Sequence, residues 1–568
     1  MEEPILKFEN FTFQYNAQKK PTLYDISFSI RKGEKIIICG PSGCGKSTLM
    51  HCINGLVPHS YKGEKTGSIT ISGKNTQNMS IFDISKSVGT VLQDCDGQFV
   101  GLTVAEDIAF ALENDCVEVD QLHERVKSVA KLVNIDDYLT HAPNELSGGQ
   151  KQRVSLAGIL VDDVDILLFD EPLANLDPAT GKYAIELIDE IQKTTGAAVI
   201  IVEHRLEDAL HRNVDRIIIM NEGRIAVDAK PDELLCQDIL KETGIREPLY
   251  ITALKYAGVD ITPQMKPSSI RSIVLSDEDK RKVVSWYENS TKEDIEDKRP
   301  YLLEVKDLEF SYDKKAKVLQ GVNANVKEGE MMAIVGTNGA GKSTFSKVIC
   351  GFEKETEGTI IFNGENLSDY SIKERADKIG YVMQNPNQMI SKVMIFDEVA
   401  LGLVTRGVPE DEIKTRVEET LKVCGLWQFR NWPISALSYG QKKRVTIASI
   451  LVLEPKMIIL DEPTAGQDYR HYTEIMEFLL KLNKKGITVA MITHDMHLML
   501  EYAKRSIVFS KGKVICDDTS ANILTNPEVI KAANLKETSL YDLALMCNIE
   551  NPGDYAQRFI DYEREVER

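Results

Sequence analysis

The sequence has 568 residues, 43% hydrophobic and 27% charged, an ordinary globular balance whose length suggests roughly three or four domains. Its 68 lysines and arginines stand against 87 aspartates and glutamates, and the resulting charge of −19 argues against a protein whose main task is coating nucleic acid. Ten cysteines without one Cys-x-x-Cys pair disfavour zinc sites, iron–sulfur sites and a secreted disulfide framework. The longest stretch free of Lys, Arg, Asp and Glu, between Lys46 and Lys62, contains Gly55 and Pro58, so no membrane-spanning helix is expected. The opening Met1-Glu2-Glu3-Pro4 is acidic with no apolar core behind it, which predicts no secretory signal and a soluble, intracellular chain.

The β-branched run Ile36-Ile37-Ile38 has the pattern of a buried parallel strand. It ends in Gly40-Pro41-Ser42-Gly43-Cys44-Gly45-Lys46-Ser47, followed by Thr48, where a helical run opens. Leu146-Ser147-Gly148-Gly149-Gln150 comes next, then four apolar residues before Asp170-Glu171, then His204 after another apolar run. A connector follows over 233–300. Glu233 to Val259 has helix-like apolar spacing, DEDKRK begins at Asp277, and the charged run TKEDIEDKRP from Thr291 reads as a solvated linker.

The same elements then return. Gly336-Thr337-Asn338-Gly339-Ala340-Gly341-Lys342-Ser343 with Thr344, then Leu437-Ser438-Tyr439-Gly440-Gln441, then Asp461-Glu462, then His494 appear in the same order. Lys342 lies 296 residues after Lys46, Asp461 lies 291 after Asp170, and His494 lies 290 after His204. A period this long is a duplicated domain, not a solenoid. The copies are expected at 1–232 and 301–523, with a helical appendage over 524–568. Strands alternating with helical patterns predict an α/β fold whose sites sit at the carboxyl ends of parallel strands.

Both glycine-rich segments have the phosphate-loop spacing G-x-x-x-x-G-K-[ST] between a strand and a helix. Glycines let the backbone wrap a phosphate chain and point N–H groups inward, the lysine adds a point charge, and the serine hydroxyl suits Mg²⁺. The helix N-terminus adds its positive end. An acidic pair closing a buried strand is costly unless it serves a cation or a proton. Asp170 and Asp461 are therefore candidate Mg²⁺ ligands, and Glu171 and Glu462 candidates to orient and polarise attacking water.

With the LSGGQ-like segments added, both copies resemble ATP-binding-cassette ATPases over nearly all of residues 1–523. The resemblance implies two tandem P-loop NTPase domains, each with a parallel-sheet core and a helical signature subdomain. It assigns Gln93 and Gln384 as glutamines that sense Mg²⁺ and the attacking water, and His204 and His494 as contacts to the γ-phosphate. Tyr15 and Tyr312 match the aromatic on which adenine stacks, while Asp177 and Asp468 match aspartates that face the opposite domain. The resemblance further implies a head-to-tail internal pseudo-dimer. One ATP site would use Tyr15, Lys46, Ser47, Gln93, Asp170, Glu171 and His204, closed by Ser438, Gly440 and Gln441. The other would use Tyr312, Lys342, Ser343, Gln384, Asp461, Glu462 and His494, closed by Ser147, Gly149 and Gln150.

The copies also differ. Tyr439 stands where the first copy has Gly148, which removes backbone freedom and is expected to alter closure of the first site. Ala465-Gly466-Gln467-Asp468 replaces Ala174-Asn175-Leu176-Asp177, and Leu173 faces Thr464 in the alignment. Two competent but unequal sites are the expectation. In finer detail, QDCDGQFVGLTVAEDIAFALEN, YVMQNPNQ, IIVEHRLEDAL, LSYGQKKRV, REPLYITALKYAG and LKETSLYDLA resemble the ATPase of energy-coupling-factor importers. That likeness implies a membrane coupling protein received near Gln93 and Gln384, a separate substrate-capturing membrane subunit, and work on the cytoplasmic face of the membrane. A soluble tandem cassette acting on ribosomes or DNA is a different class. Absent cysteine clusters and the mixed-charge connector weigh against it, and no nucleic acid is expected. In the tandem ATPase of a sugar importer, one degenerate half would be expected, yet both halves keep their glutamates and histidines.

Overall fold

The structure is a computed structural model describing residues 3–174, 176–290, 298–312, 316–464, 467 and 469–566. It divides into two units, one of residues 1–283 with 468–470, the other of residues 284–467 and 471–568.

In the first unit a four-stranded antiparallel sheet, ordered β2-β1-β4-β5, is built from β1 (Leu6–Tyr15), β2 (Leu23–Ile30), β4 (Gly63–Ile71) and β5 (Lys74–Asn75). The sequence reading did not anticipate this sheet. In β1, Leu6 and Phe8 alternate inward, a bulge follows, and Phe11 and Phe13 resume on the same side. Behind it lies a six-stranded sheet of β3 (Lys35–Cys39), β6 (Val88–Val91), β7 (Ile166–Asp170), β8 (Ala198–Val202), β9 (Arg216–Asn221) and β10 (Arg224–Ala229). Its order is β10-β9-β3-β8-β7-β6, parallel except for the hairpin partner β10. Every residue of β3 and β8 is buried, as continuous Ile and Val runs require of strands covered on both faces.

This order positions the site. The phosphate loop leaves β3, the histidine follows β8 and the acidic pair ends β7, and these three strands are neighbours, so their carboxyl ends share one edge. The signature helix Gly148–Leu160 packs on β6, where a Cβ on Gly89 would lie 1.9 Å from Ile159 Cγ2. Only glycine permits that approach.

The second unit repeats the plan. Strands β11 (Tyr301–Phe310), β12 (Leu319–Lys327), β14 (Glu357–Phe362) and β15 (Glu365–Asn366) form the antiparallel sheet, ordered β12-β11-β14-β15. The larger sheet contains β13 (Met331–Gly336), β16 (Ile379–Val382), β17 (Met457–Asp461), β18 (Thr488–Ile492), β19 (Arg505–Ser510) and β20 (Lys513–Thr519), ordered β16-β17-β18-β13-β19-β20.

Much of the connector is helical, with Leu249–Tyr256 burying Tyr250, whose hydroxyl donates to Pro267 O at 2.5 Å. The charged DEDKRK run forms the first turns of a helix, Asp277–Asn289, and of the run from Thr291, residues 291–297 lie outside the described residues. At the end of that helix, Tyr287 donates to Asp554 Oδ2 at 2.8 Å, and Trp286 packs edge-on to Tyr555 and Tyr562 of the C-terminal helix Pro552–Val566.

Candidate active sites

In the first unit the phosphate loop turns through Gly45 at φ +104°, where a side chain would be strained and would press on Leu23 Cδ2 and Thr22 O. Lys46 opens the helix Lys46–Ile53, and its ammonium is buried, donating to Gly40 O at 2.7 Å and Pro41 O at 3.0 Å. The amide-rich turn from Gly40 through Pro41, Ser42, Gly43 and Cys44 to Gly45 thus closes on the lysine. Ser47 is exposed at the loop mouth, and the Tyr15 hydroxyl lies 3.1 Å from Thr48 Oγ1, which brings the predicted base-stacking ring to the same helix.

Gln93, Glu171 and His204 form one hydrogen-bonded set. Gln93 Nε2 donates to Glu171 Oε2 at 2.7 Å, and His204 Nε2 lies 2.9 Å from Glu171 Oε1. Burial opposes ionisation of Glu171, but the His204 hydrogen bond and charge outweigh it and hold the carboxyl below its ordinary range. Asp170 is pushed up to about 6, first by burial and then by the neighbouring Glu171 carboxylate. A divalent cation relieves such a pair, and the exposed Ser47 hydroxyl, Asp170 and Gln93 are oxygen donors suited to Mg²⁺ completed by phosphates and water. Among the described residues, no group of three or more His, Cys, Asp or Glu suggests a different, all-protein metal cage.

In the second unit Gly341 repeats the turn at φ +101°, and Lys342 donates to Gly336 O and Thr337 O, each at 2.8 Å. Asn338, Gly339 and Ala340 complete the loop, with Ser343 and Thr344 half-buried on the helix Lys342–Cys350. Tyr312 is exposed, its hydroxyl 3.4 Å from Thr344 Oγ1. The acidic pair is arranged differently. Tyr381 donates to Asp461 Oδ2 at 2.9 Å, and Glu462 is drawn inward, with Oε2 accepting the His494 amide at 3.4 Å and Oε1 3.4 Å from His494 Nε2. Burial, with Asp461 beside it, pushes Glu462 up to about 8.

The signature segments cap their own helices. Ser147 and Gln150 form a capping box on Gly148–Leu160, and Ser438 and Gln441 form the same box on Tyr439–Leu451. Gly149 and Gly440 sit in those first turns. The expectation that Tyr439 costs backbone freedom is corrected here. Its counterpart Gly148 is an ordinary helical residue, and a Cβ added to it meets nothing within 4 Å. The space lets Tyr439 reach over to its own half's glutamine loop, where its hydroxyl donates to Gln384 O at 3.2 Å. Asp177 caps the helix Pro178–Thr195 through Thr180, and Asp468 lies outside the described residues.

Residues 23–174 and 319–465 each match the family model described as ABC transporter. The chain belongs to the ABC transporter ATP-binding family. It carries two such cassettes and is an ATPase. Residues 237–310 match a second model, described as ATP-binding cassette cobalt transporter. A protein named as an ABC transporter ATP-binding protein in Clostridium perfringens is 60% identical over 560 residues, 99% of this chain and 98% of that one. Another so named in Enterococcus faecalis is 56% identical over 567 residues, covering 100% of both chains. Among solved structures, cbiO1 from Clostridium perfringens, part of the ABC transporter complex cbiONQ, is 39% identical. The match covers 41% of this chain and 94% of cbiO1, with a TM-score of 0.38.

Two site-bordering residues of this ABC ATPase escaped the sequence reading. Lys443, on the second signature helix, is buried and donates to Met383 O at 2.9 Å and Gln384 O at 2.7 Å, where the first half has Gln152 donating to Pro172 O at 2.8 Å. Glu203, next to His204, is buried and accepts three backbone amides. In both places the two copies disagree in residue type, and that mismatch was the available signal.

Proposed function

We propose that this ABC ATPase powers uptake of a transition-metal ion or vitamin through separate membrane subunits, as an energy-coupling-factor type motor. The observation that carries this reading is the match of residues 237–310 to a cobalt-transporter cassette model in a chain whose two halves both keep a full catalytic set. Two cassettes, 1–232 and 301–523, pair head to tail, with 233–300 as connector and 524–568 as appendage. Each ATP lies between the Lys46 or Lys342 loop of one half and the signature serine, glycine and glutamine of the other. Adenine stacks on Tyr15 or Tyr312. Lys46 and Lys342 leave their loop carbonyls for the outer phosphates. Glu171 and Glu462 orient the attacking water, and His204 and His494 hold the γ-phosphate side of the pocket. Mg²⁺, held by Ser47, Asp170 and Gln93 or by Ser343, Asp461 and Gln384, supplies charge neutralisation on the phosphates. ATP favours the closed pair because it binds that state better, and fusion keeps the halves at high effective concentration.

Among the described residues no helix is long and apolar enough to cross a membrane, so the pathway is assigned to partners: a membrane coupling subunit docked near Gln93 and Gln384, and a substrate-capturing subunit. Purification of the tagged full chain from detergent-solubilised membranes is expected to bring down a multi-helix integral protein. Recovery with ribosomes instead would refute the reading. Glu171→Gln and Glu462→Gln are expected to lower steady-state ATPase rates by different factors, and equal losses would count against unequal sites.

A further inference from the structure

The turn after β8 and the turn after β7 carry His204 and Glu171 on adjacent strands, and their relative placement decides whether the two side chains meet. In both halves the backbone frame is the same. Glu171 N donates to Val202 O and Glu462 N to Ile492 O, each at 2.9 Å, while Glu203 N donates to Ile38 O and Thr493 N to Ile334 O, each at 3.2 Å. The side chains that follow differ. Glu203 is 3% exposed, and its Oε1 accepts from His204 N at 2.9 Å and Arg205 N at 3.1 Å, while its Oε2 accepts from Leu173 N at 3.2 Å. One carboxylate therefore ties the histidine turn to the residue two places beyond Glu171.

In the second half the corresponding residue is Thr493, too short for such a bridge; its Oγ1 accepts locally, from Asp495 N at 3.0 Å. There the carboxylate of Glu462 itself takes up the amide of the histidine turn, His494 N, at 3.4 Å. The contact between histidine and glutamate side chains is correspondingly long, 3.4 Å against 2.9 Å in the first half.

We propose that Glu203 is a positioning residue of the first ATP site. By taking the backbone amides of both turns, it leaves the Glu171 carboxylate to meet the side chains of Gln93 and His204, whereas in the second half Glu462 serves as its own brace. The inference rests on the proposed roles of Glu171 and His204 in hydrolysis. It adds that the expected inequality of the two sites originates in a buried residue whose carboxylate bonds backbone amides.

The test uses the full chain with Glu462→Gln, so that turnover reports the first site, and adds Glu203→Thr, which installs the second half's residue. Displacements of about 1 Å in a catalytic group can cost on the order of 100-fold, so kcat is expected to fall roughly 10- to 100-fold with KM for ATP held within about twofold. Glu203→Gln keeps one acceptor oxygen for His204 and Arg205 but loses the Leu173 amide, and its kcat is expected to lie between the other two. Affinity for a non-hydrolysable ATP analogue, expected unchanged, checks that both variants fold. A kcat unchanged within about twofold in both variants would overturn the proposal, as would a loss of analogue affinity matching the loss of kcat. Glu171→Gln in the same background separates the two levels. If it leaves the residual rate intact, the assignment of Glu171 fails, whatever Glu203 does.

Discussion

Replacing Glu462 by glutamine keeps the shape of an almost enclosed side chain and removes one titration. Its carboxyl is raised by burial and by Asp461 from the ordinary 4.5 to about 8, so at pH 7 the nucleotide-free chain holds it mostly protonated. A folded-state value above the unfolded one means that the neutral form's stabilisation is complete below about pH 4.5 and is lost as pH rises toward 8. The interval corresponds to about 5 kcal/mol as an upper bound, and relaxation that halves it leaves about 2–3 kcal/mol. For a unit of this size that is a fall of about 5–10 °C in melting temperature. The assay is calorimetry of wild type and Glu462→Gln in EDTA without nucleotide from pH 5 to 9. The difference between the two, which cancels titrations remote from Glu462, is expected to move steadily against wild type up to pH 8 and then level off. Glu171→Gln is the internal control. Glu171 is held below its ordinary range, so its own contribution is present above about pH 4.5 and lost only below it, and its difference curve is expected flat from about pH 7 to 9, any slope nearer pH 6 belonging to Asp170, which Glu171 helps to raise. A flat curve for Glu462→Gln would refute the argument that burial and Asp461 keep this carboxyl neutral.

Lys443→Met removes a buried ammonium from Met383 O and Gln384 O and leaves Gln384 O with the longer bond from the Tyr439 hydroxyl. A destabilisation of about 2–3 kcal/mol is expected, with faster amide exchange confined to the glutamine loop, read by hydrogen-exchange mass spectrometry. Tyr439→Phe loses one long hydrogen bond to Gln384 O and is expected to cost at most about 1 kcal/mol, whereas Tyr439→Gly, at a position with ordinary helical φ, should add about 1 kcal/mol through helix propensity. Thermal melting of the two variants checks the order. Gly341→Ala places a methyl at φ +101° and 2.9 Å from Leu319 Cδ2, so nucleotide affinity of that half is expected to drop together with about 1–3 kcal/mol of stability, measured by calorimetry and fluorescent-nucleotide titration.

The parallel sheets and phosphate loops were legible because their constraints are local. A strand covered on both faces carries a continuous apolar run, as Ile36 to Ile38 do in β3 and the whole of β8 does, and a loop turning at positive φ favours glycine, as at Gly45 and Gly341. The antiparallel sheets were not legible. In β1 the alternation of inward phenylalanines is broken by a bulge, which shifts Phe11 and Phe13 out of the period set by Leu6 and Phe8.

The braces around the sites were hidden for another reason. Glu203 and Lys443 act by bonding backbone atoms brought near by strand order, and a backbone amide or carbonyl leaves no trace in residue type. What does leave a trace is disagreement between copies that share a backbone. Where Glu203 faces Thr493, Gln152 faces Lys443 and Thr90 faces Tyr381, each half satisfies the same backbone with different chemistry. The groups proposed for catalysis agree in both copies, while the groups that hold them do not. Both halves keep the glutamate proposed to orient water, but its position is fixed by a separate brace, Glu203, in the first half, and by its own carboxylate on the histidine turn in the second. The mismatches therefore mark where two identical catalytic sets acquire different resting geometries: Glu171 bonded to Gln93 and His204, and Glu462 turned toward the His494 amide.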